Sequence, residues 1–329
     1  MPFIVLSSHP WVSPINFSKL EVQENGFKDD FRNYNRLFDE DIFDFVHPQT
    51  LNDIDQKALD FYEGRSDDYD KYLHLTFKTY EEDEDITRNK MIDLLNIKGN
   101  SKVLEIACGT GRDSKLIEKR LNSDGELCLT DISGDMLSKA YKKLNHKKNI
   151  FFCTANAMHM PFPNNYFDSL YSFGGLGEFS DPSLFFKEAV RVCKKGATIV
   201  VGDENLPIWQ RETIFGQILS NYNKQFLAEV PFNALPKEAR EVKCEWIIGG
   251  VFYLISFKVG EGEPYANFDF QIPGKRGGTH KTRFYGNLEG VSESTKLAAL
   301  QAREKLGISM HEWLDKIIKE EAEKIINEE

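Results

Sequence analysis

The sequence predicts an α/β protein: a doubly wound, mostly parallel sheet finished by an antiparallel hairpin, with extensions at both ends. Three observations carry this. Between residues 84 and 204, short apolar runs alternate with amphipathic stretches, and a parallel strand pair needs a covering helix of that kind. The turn Gly109-Thr110-Gly111 joins the first apolar run to the helix after it. Residues 241–259 hold two β-prone runs parted by Gly249-Gly250, which is a hairpin signal.

Taken in order, residues 1–65 are rich in Asp and Phe without a clean period. They read as an irregular N-terminal arm or cap with short helices. Ile86, Met91, Ile92, Leu94 and Leu95 mark one face of a helix, which Lys98-Gly99-Asn100 breaks. Residues 103–107 form a short apolar strand. Residues 112–121 form a helix with Leu116, Ile117 and Leu121 inward, and residues 126–132 form the second strand. Ser133 caps a helix whose Met136, Leu137, Ala140, Tyr141 and Leu144 recur at helical spacing. Residues 150–154 and 167–172 are further strands. Asp181-Pro182 supplies an N-cap and a first-position proline for a helix ending at Gly196, and residues 197–201 form a fifth, doubly buried strand.

Residues 205–240 read as a helical, lid-forming insertion. From residue 271 a glycine-rich basic loop leads into two helices separated by Gly307-Ile308-Ser309, the second carrying Trp313, Leu314, Ile317 and Ile318 on one stripe. The expected organisation is an arm at 1–65, a ligand-binding α/β domain at 66–270, and a two-helix extension at 271–329.

Composition narrows the function. The chain has 329 residues, with 52 Asp and Glu against 41 Lys and Arg, for a net charge of -11. That balance argues against nonspecific binding to nucleic acid or to an anionic membrane, which needs surplus cations. The five cysteines, Cys108, Cys128, Cys153, Cys193 and Cys244, are far apart with no CxxC pair. Neither a metal site nor a disulfide framework is expected, and a reducing, cytoplasmic compartment is the simpler reading. The N-terminus (MPFIVLSSHPWVSP) lacks the basic and long apolar regions of a signal peptide, and no run approaches the length of a membrane span.

The chemistry concentrates at the first strand, Val103-Leu104-Glu105-Ile106-Ala107-Cys108-Gly109-Thr110-Gly111. Glycines at a strand-to-helix turn accept positive φ and let a ligand approach the backbone. Twenty residues past Gly111, at the end of the second strand, Asp131 can accept both hydroxyls of an adenosine ribose. A dinucleotide and S-adenosylmethionine share those needs. Glu105 separates them, because a carboxylate repels pyrophosphate and attracts a sulfonium-ammonium ligand. Ser114 also stands where a dinucleotide fingerprint has its third glycine. Asn156, in Ala155-Asn156-Ala157 after the third strand, can hydrogen-bond an adenine amine.

With these motifs in view, residues 60–205 resemble a class I S-adenosylmethionine-dependent methyltransferase, closest to the ubiquinone/menaquinone C-methyltransferase type. The motifs VLEIACGTGRDS, LTDIS, ANAMHMPFPNNYFDSLYSFGGL and FFKEAVRVCKKGATIVVGDE carry the resemblance. It implies a Rossmann-like seven-stranded sheet in the order 3-2-1-4-5-7-6. It also implies a cofactor site drawn from Tyr69, Glu105, Ala107, Cys108, Gly109, Gly111, Asp131, Ile132, Met136, Asn156, Ala157, Ser172 and Phe173. Where such families carry Asp-Ala after the third strand, this chain has Asn156-Ala157. The resemblance covers under half of the chain and leaves the arm and the C-terminal sixty residues unexplained.

The expected reaction is methyl transfer to a small, aromatic or anionic acceptor by in-line displacement. Glu178, Asp203 (paired with Glu204) and His159 are the candidate bases by position. In the basic loop, Lys275, Arg276 and His280 could grip a substrate carboxylate or phosphate, or dock onto the acidic arm or a partner subunit, which is the simpler reading. The tail is similar in pattern to the paired helices of ribbon-helix-helix modules. Its charge is mixed, so a homodimerisation element or cap is expected rather than a nucleic-acid contact. The competing readings are a regulatory protein that holds the cofactor without turnover, another alkyl transfer from the same cofactor, and an NAD-dependent oxidoreductase.

Overall fold

The computed structural model describes residues 9–327 apart from 39, 148 and 286–290. Residues 1–8, on which the reading of the N-terminus partly rests, lie outside them. The chain divides into two compact units, Met1–Pro264 and Tyr265–Glu329.

The first unit opens with four short strands, β1 (Glu21–Gln23), β2 (Gly26–Lys28), β3 (Asn33–Leu37) and β4 (Ile42–Asp44). Helices α1 (Asp53–Tyr62), α2 (Ser66–Tyr72), α3 (His74–Thr79) and α4 (Glu84–Asp93) follow. The alternating part then runs β5 (Lys102–Ile106), α5 (Arg112–Glu118), β6 (Glu126–Asp131), α6 (Gly134–Leu144), β7 (Ile150–Thr154), β8 (Phe167–Phe173), α7 (Pro182–Val192) and β9 (Cys193–Glu204). After α8 (Ile214–Tyr222), the hairpin of β10 (Ala239–Ile247) and β11 (Phe252–Val259) closes the unit.

All eleven strands join one sheet in the order β1-β2-β3-β4-β7-β6-β5-β8-β9-β11-β10. The expected count of seven is therefore corrected. The strands from β5 onward follow β7-β6-β5-β8-β9-β11-β10, and the N-terminal arm extends the sheet past β7. It does so through β4, which runs parallel to β7 with Ile42 beside Phe152. The arm's aromatics explain why. Trp11 packs on Phe43 at 5.1 Å and Phe27 at 5.3 Å, and all three rings are buried. Its acids are turn-formers as well as surface charges: Asp29 accepts the backbone N–H groups of Phe31 and Arg32 and the Tyr34 hydroxyl.

Successive strand residues alternate between two apolar clusters, Leu104 and Ile106 in one and Val103 in the other. This is the two-faced burial a doubly wound sheet requires. Helix α7 stops at Val192, four residues before Gly196, and β9 begins at Cys193. Gly249 (φ 65°) and Gly250 (φ 76°) form the hairpin turn. Residues 205–240 are mixed, with α8 accompanied by single 3-10 turns such as Lys224–Leu227.

The second unit, which begins at residue 265 rather than 271, contains α9 (His280–Tyr285), α10 (Glu293–Leu306) and α11 (Met310–Ile326). The basic loop thus contains a short helix. Gly307 (φ 67°) ends α10, and Ser309 and Glu312 form a capping box on α11. No described helix is long and apolar enough to cross a membrane.

Candidate active site

The site is built where β5 gives way to α5. Ala107, Gly109 and Gly111 all have positive φ (53°, 53° and 80°), so the chain folds back tightly, with the Cys108 N–H bonded to the Thr130 carbonyl and the Gly111 N–H to that of Cys108. The Asp131 carboxylate, at the end of β6, accepts the Gly109 N–H at 2.8 Å and the Ser133 N–H at 3.0 Å. These bonds fix its direction, while burial pushes its carboxyl up to about 6. Gly111 is the N-cap of α5, and a Cβ there would stand 3.0 Å from that of Ala140.

Helices α1 and α2 anchor over this turn through residues that sequence reasoning missed. Asp70 accepts the Thr110 hydroxyl at 2.7 Å and pairs with Lys143 at 2.8 Å. Glu63 accepts the Ser133 hydroxyl at 2.8 Å. The Asp-rich composition before residue 84 was the available signal, but composition assigns no partners.

Two cavities meet under these helices. The smaller, about 70 Å³, is lined by Asp131, Ile132, Met136, Asn156 and Ala157. The larger, about 770 Å³, is lined by Glu105, Cys108, Phe173, Glu178, Asp203 and Glu204 among others. Tyr69, Ala107, Gly109 and Glu178 line both. Burial pushes the Tyr69 phenol up to about 12, so it stays neutral.

Glu105 is buried, and its Oε2 has no hydrogen-bond partner. Burial, then the negative charge of Asp113, raises its carboxyl well above the ordinary range. The Arg88 guanidinium offsets that rise only in part. Arg88 is committed to both oxygens of Asp113 at 2.8 Å and to Glu84 at 2.9 Å.

Glu178, Asp203 and Glu204 gather in the larger cavity. Asp203 is pushed up to about 6 by burial, and Glu204 to about 7 by burial and then by the Asp203 and Glu178 charges. Asp203 accepts the Gly177 N–H at 2.6 Å and the Glu204 N–H at 2.7 Å.

Six expected residues line neither cavity, three of them in the first unit. Ser172 is fully buried in β8 and lines neither cavity, because strand alternation turns Phe173 to the cavity and its neighbour away. His159 also lines neither. Its ring meets His47 edge-on at 5.1 Å, and burial lowers its pKa. Gly111 acts through its conformation, outside both linings.

Asn156 is in place, but its amide is engaged. Its Oδ1 accepts the Met158 N–H at 3.0 Å, and its Nδ2 donates to the buried carboxylate of Asp55 at 3.0 Å. Asp55, another residue the sequence did not single out, also lines the smaller cavity. Lys275, Arg276 and His280 belong to the second unit, where the Lys275 carbonyl accepts the Met310 N–H and His280 lies edge-on to Phe268. No group of three or more potential metal ligands occurs among the described residues.

A buried strand-end carboxylate with one oxygen unpartnered, a glycine turn of left-handed residues and a second carboxylate on the next strand fit one ligand chemistry. That chemistry pairs a positive charge with a hydroxylated ring, as does the cofactor of the class I S-adenosylmethionine-dependent methyltransferases. Residues 51–230 match the model of the ubiE/COQ5 methyltransferase family. The chain belongs to that family.

It is 30% identical to a demethylmenaquinone methyltransferase from Staphylococcus haemolyticus, over 52% of this chain and 69% of the relative. It is 32% identical to a ubiquinone/menaquinone biosynthesis C-methyltransferase from Pectobacterium carotovorum, over 36% of this chain and 48% of the relative. Apart from the first, the curated relatives it matches are spanned over about half their length. Among solved structures it is similar to a SAM-dependent methyltransferase from Aquifex aeolicus, at 20% identity over 52% of this chain and 89% of that one, with a TM-score of 0.40.

Proposed function

We propose that this protein transfers a methyl group from S-adenosylmethionine to a small aromatic acceptor of the quinone type, taken in its dihydroxy form. The buried carboxylate of Glu105, with its Oε2 unpartnered, carries the cofactor assignment. Left without a cation it is costly, and a ligand bearing an ammonium beside a sulfonium supplies what it lacks. When bound, S-adenosylmethionine provides a methyl carbon already activated for displacement.

In this reading Asp131 accepts from the ribose hydroxyls, and Ile132, Met136 and Ala157 pack the adenine. The backbone at Ala107, Cys108 and Gly109 borders the sulfur-bearing chain, with Tyr69 and Phe173 beside it. Since the Asn156 oxygen is occupied, its contribution is to hold Asp55 and the Met158 turn at the adenine end.

The acceptor class follows from three features. The relatives are named for methylation in quinone biosynthesis. Phe173 and Phe252 stand 5.7 Å apart in the larger cavity and offer aromatic walls. The cluster of Glu178, Asp203 and Glu204 opposes an anionic acceptor, so that part of the expectation is dropped. Methyl transfer needs a nucleophile, which selects the electron-rich dihydroxy ring over the quinone itself.

Two further parts belong to the same reading. The five cysteines are free, which supports a reducing, cytoplasmic setting. Leu297, Leu306, Ile317 and Ile318 are exposed on α10 and α11, which supports a homodimer through these helices.

Calorimetric titration with S-adenosylmethionine, S-adenosylhomocysteine and NADH tests the core of it. The two sulfur compounds are expected to bind and NADH to stay silent. NADH binding without them would overturn the assignment.

A further inference from the structure

We infer that Glu204 is the base that takes the acceptor's proton, and that Asn223 is the residue that positions it. The inference rests on the methyl-transfer reading above and names the group that reading leaves open.

Four carboxylates other than the paired Asp113 line the larger cavity, and their hydrogen bonds divide them. Glu105 lies beneath the glycine turn, beside the Arg88–Asp113 pair, where the cofactor's charge belongs. Asp203 has each oxygen bound to a backbone N–H, at 2.6 and 2.7 Å, which holds it as a structural acceptor. Glu178 closes the 3-10 turn Leu176–Glu178 and faces both cavities.

Glu204, the last residue of β9, has one oxygen fixed and the other open. Its Oε2 accepts the Asn223 Nδ2 at 2.7 Å, while Oε1 accepts no hydrogen bond from any described residue. It lines the cavity with Ile248 and Phe252, which exclude water from one side. Burial and the neighbouring Asp203 and Glu178 charges set its proton affinity near neutrality, where a general base works best.

Asn223 is held at both ends of its amide. Its Oδ1 accepts the Gln225 N–H at 3.0 Å, capping the Lys224–Leu227 turn, and its backbone N–H bonds to Leu219 at the end of α8. The amide therefore cannot turn, and its N–H group aims Glu204. The same contact ties the segment between β9 and β10 to the base.

The step balances as follows. The acceptor hydroxyl gives its proton to Glu204 Oε1, and the O–H electron pair stays on the acceptor. A new bond forms from the acceptor oxygen, or from a ring carbon conjugated with it, to the methyl carbon. The methyl carbon–sulfur bond breaks with its pair remaining on sulfur. For a ring carbon, the proton then lost from that carbon is matched by one regained on oxygen, so one proton is released in all.

The full-length protein allows two readouts. The first needs no cofactor: fluorescence titration with 2-naphthol between about pH 5.5 and about pH 8.5. Affinity is expected to rise several-fold through about pH 7 as Glu204 ionises and accepts the O–H, and to stay flat in Glu204→Gln. Asn223→Ala removes a donor to the carboxylate, so its midpoint moves to higher pH.

The second is turnover of 1,4-naphthalenediol with S-adenosylmethionine. Glu204→Gln should lower the rate at saturating cofactor by roughly 10²–10⁴-fold. Asn223→Ala should raise the pH at which the rate begins to fall, which a merely structural contact would not do. Should Glu204→Gln fail to fold, Asn223→Ala still carries both tests.

Wild-type turnover that survives in Glu204→Gln, or an equally steep pH response of naphthol binding in that variant, overturns the base and leaves methyl transfer standing. A wild-type protein that binds the cofactor and never methylates the diol overturns the acceptor reading and the base with it.

Discussion

Replacing Glu204 by Gln should make the protein more stable and less active at the same time. Burial and two neighbouring charges raise this carboxyl from an ordinary 4.5 to about 7. A raised acid holds its proton in the folded state over a pH range where the unfolded chain has lost it. Its contribution therefore costs nothing below about pH 4.5, grows between there and about pH 7, and persists in full above that.

At 1.36 kcal/mol per pH unit, the gap between 4.5 and about 7 corresponds to roughly 3 kcal/mol. Partial solvation and coupling to Asp203 lower the usable figure to about 1–3 kcal/mol. Glutamine keeps the shape, and its carbonyl still accepts from Asn223 Nδ2, so removal of the charge is the main change. Thermal melts at pH 8 should show Tm raised by several degrees, shrinking towards zero at pH 4.5. An equal shift at both pH values, or no gain at pH 8, would refute the electrostatic account.

Three further outcomes follow from the same geometry. Asp131→Asn should weaken S-adenosylmethionine binding by about 10–100-fold, the value of a charged acceptor. In the wild type, affinity should decline below about pH 6 as this carboxyl protonates, and calorimetry across pH checks both. Gly111→Val forces a β-branched residue into φ 80° with its Cβ 3.0 Å from Ala140, and should cost at least ~2 kcal/mol in urea unfolding. Arg88→Ala strands the buried Asp113 and should cost ~3–5 kcal/mol, with part of the loss recovered when Asp113→Asn is added.

What could be read from the chain was what is encoded locally. Helix α6 shows its face in Met136, Leu137, Ala140 and Leu144, all buried, behind a Ser133 cap that accepts the Met136 N–H. The hairpin and the strand-end carboxylates Glu105 and Asp131 were equally legible, because strand ends and turns mark themselves in a few residues.

The misses have two physical sources. Strands β1, β2 and β4, of three residues each, are too short to show a period, and their place in the sheet depends on aromatic contacts such as Trp11 with Phe43. Contacts across 40 to 125 positions, like Thr110 with Asp70 or Ser180 with Asp55, leave no local trace. Ser172 failed for a smaller reason: a single-residue error in phase along β8 reverses a side chain's face.

The charge distribution joins the reading of the cofactor to that of the reaction. The larger cavity brings together Glu105, Asp113, Glu178, Asp203 and Glu204, while Arg88 is spent on Asp113 and Glu84 and Arg112 on Glu84 and Asp70. Burial first and neighbouring negative charge second raise the carboxyls of Glu105, Asp203 and Glu204, so an interior so biased favours a cationic ligand. A ligand with an ammonium, a sulfonium and one carboxylate brings a net positive charge and relieves that bias on binding. Once the methyl has gone, the sulfonium is a neutral thioether and the relief is smaller. In the proposed methyl transfer, carboxylates that attract the methyl donor would therefore hold the spent one less tightly, so electrostatics would favour both loading before the reaction and release after it.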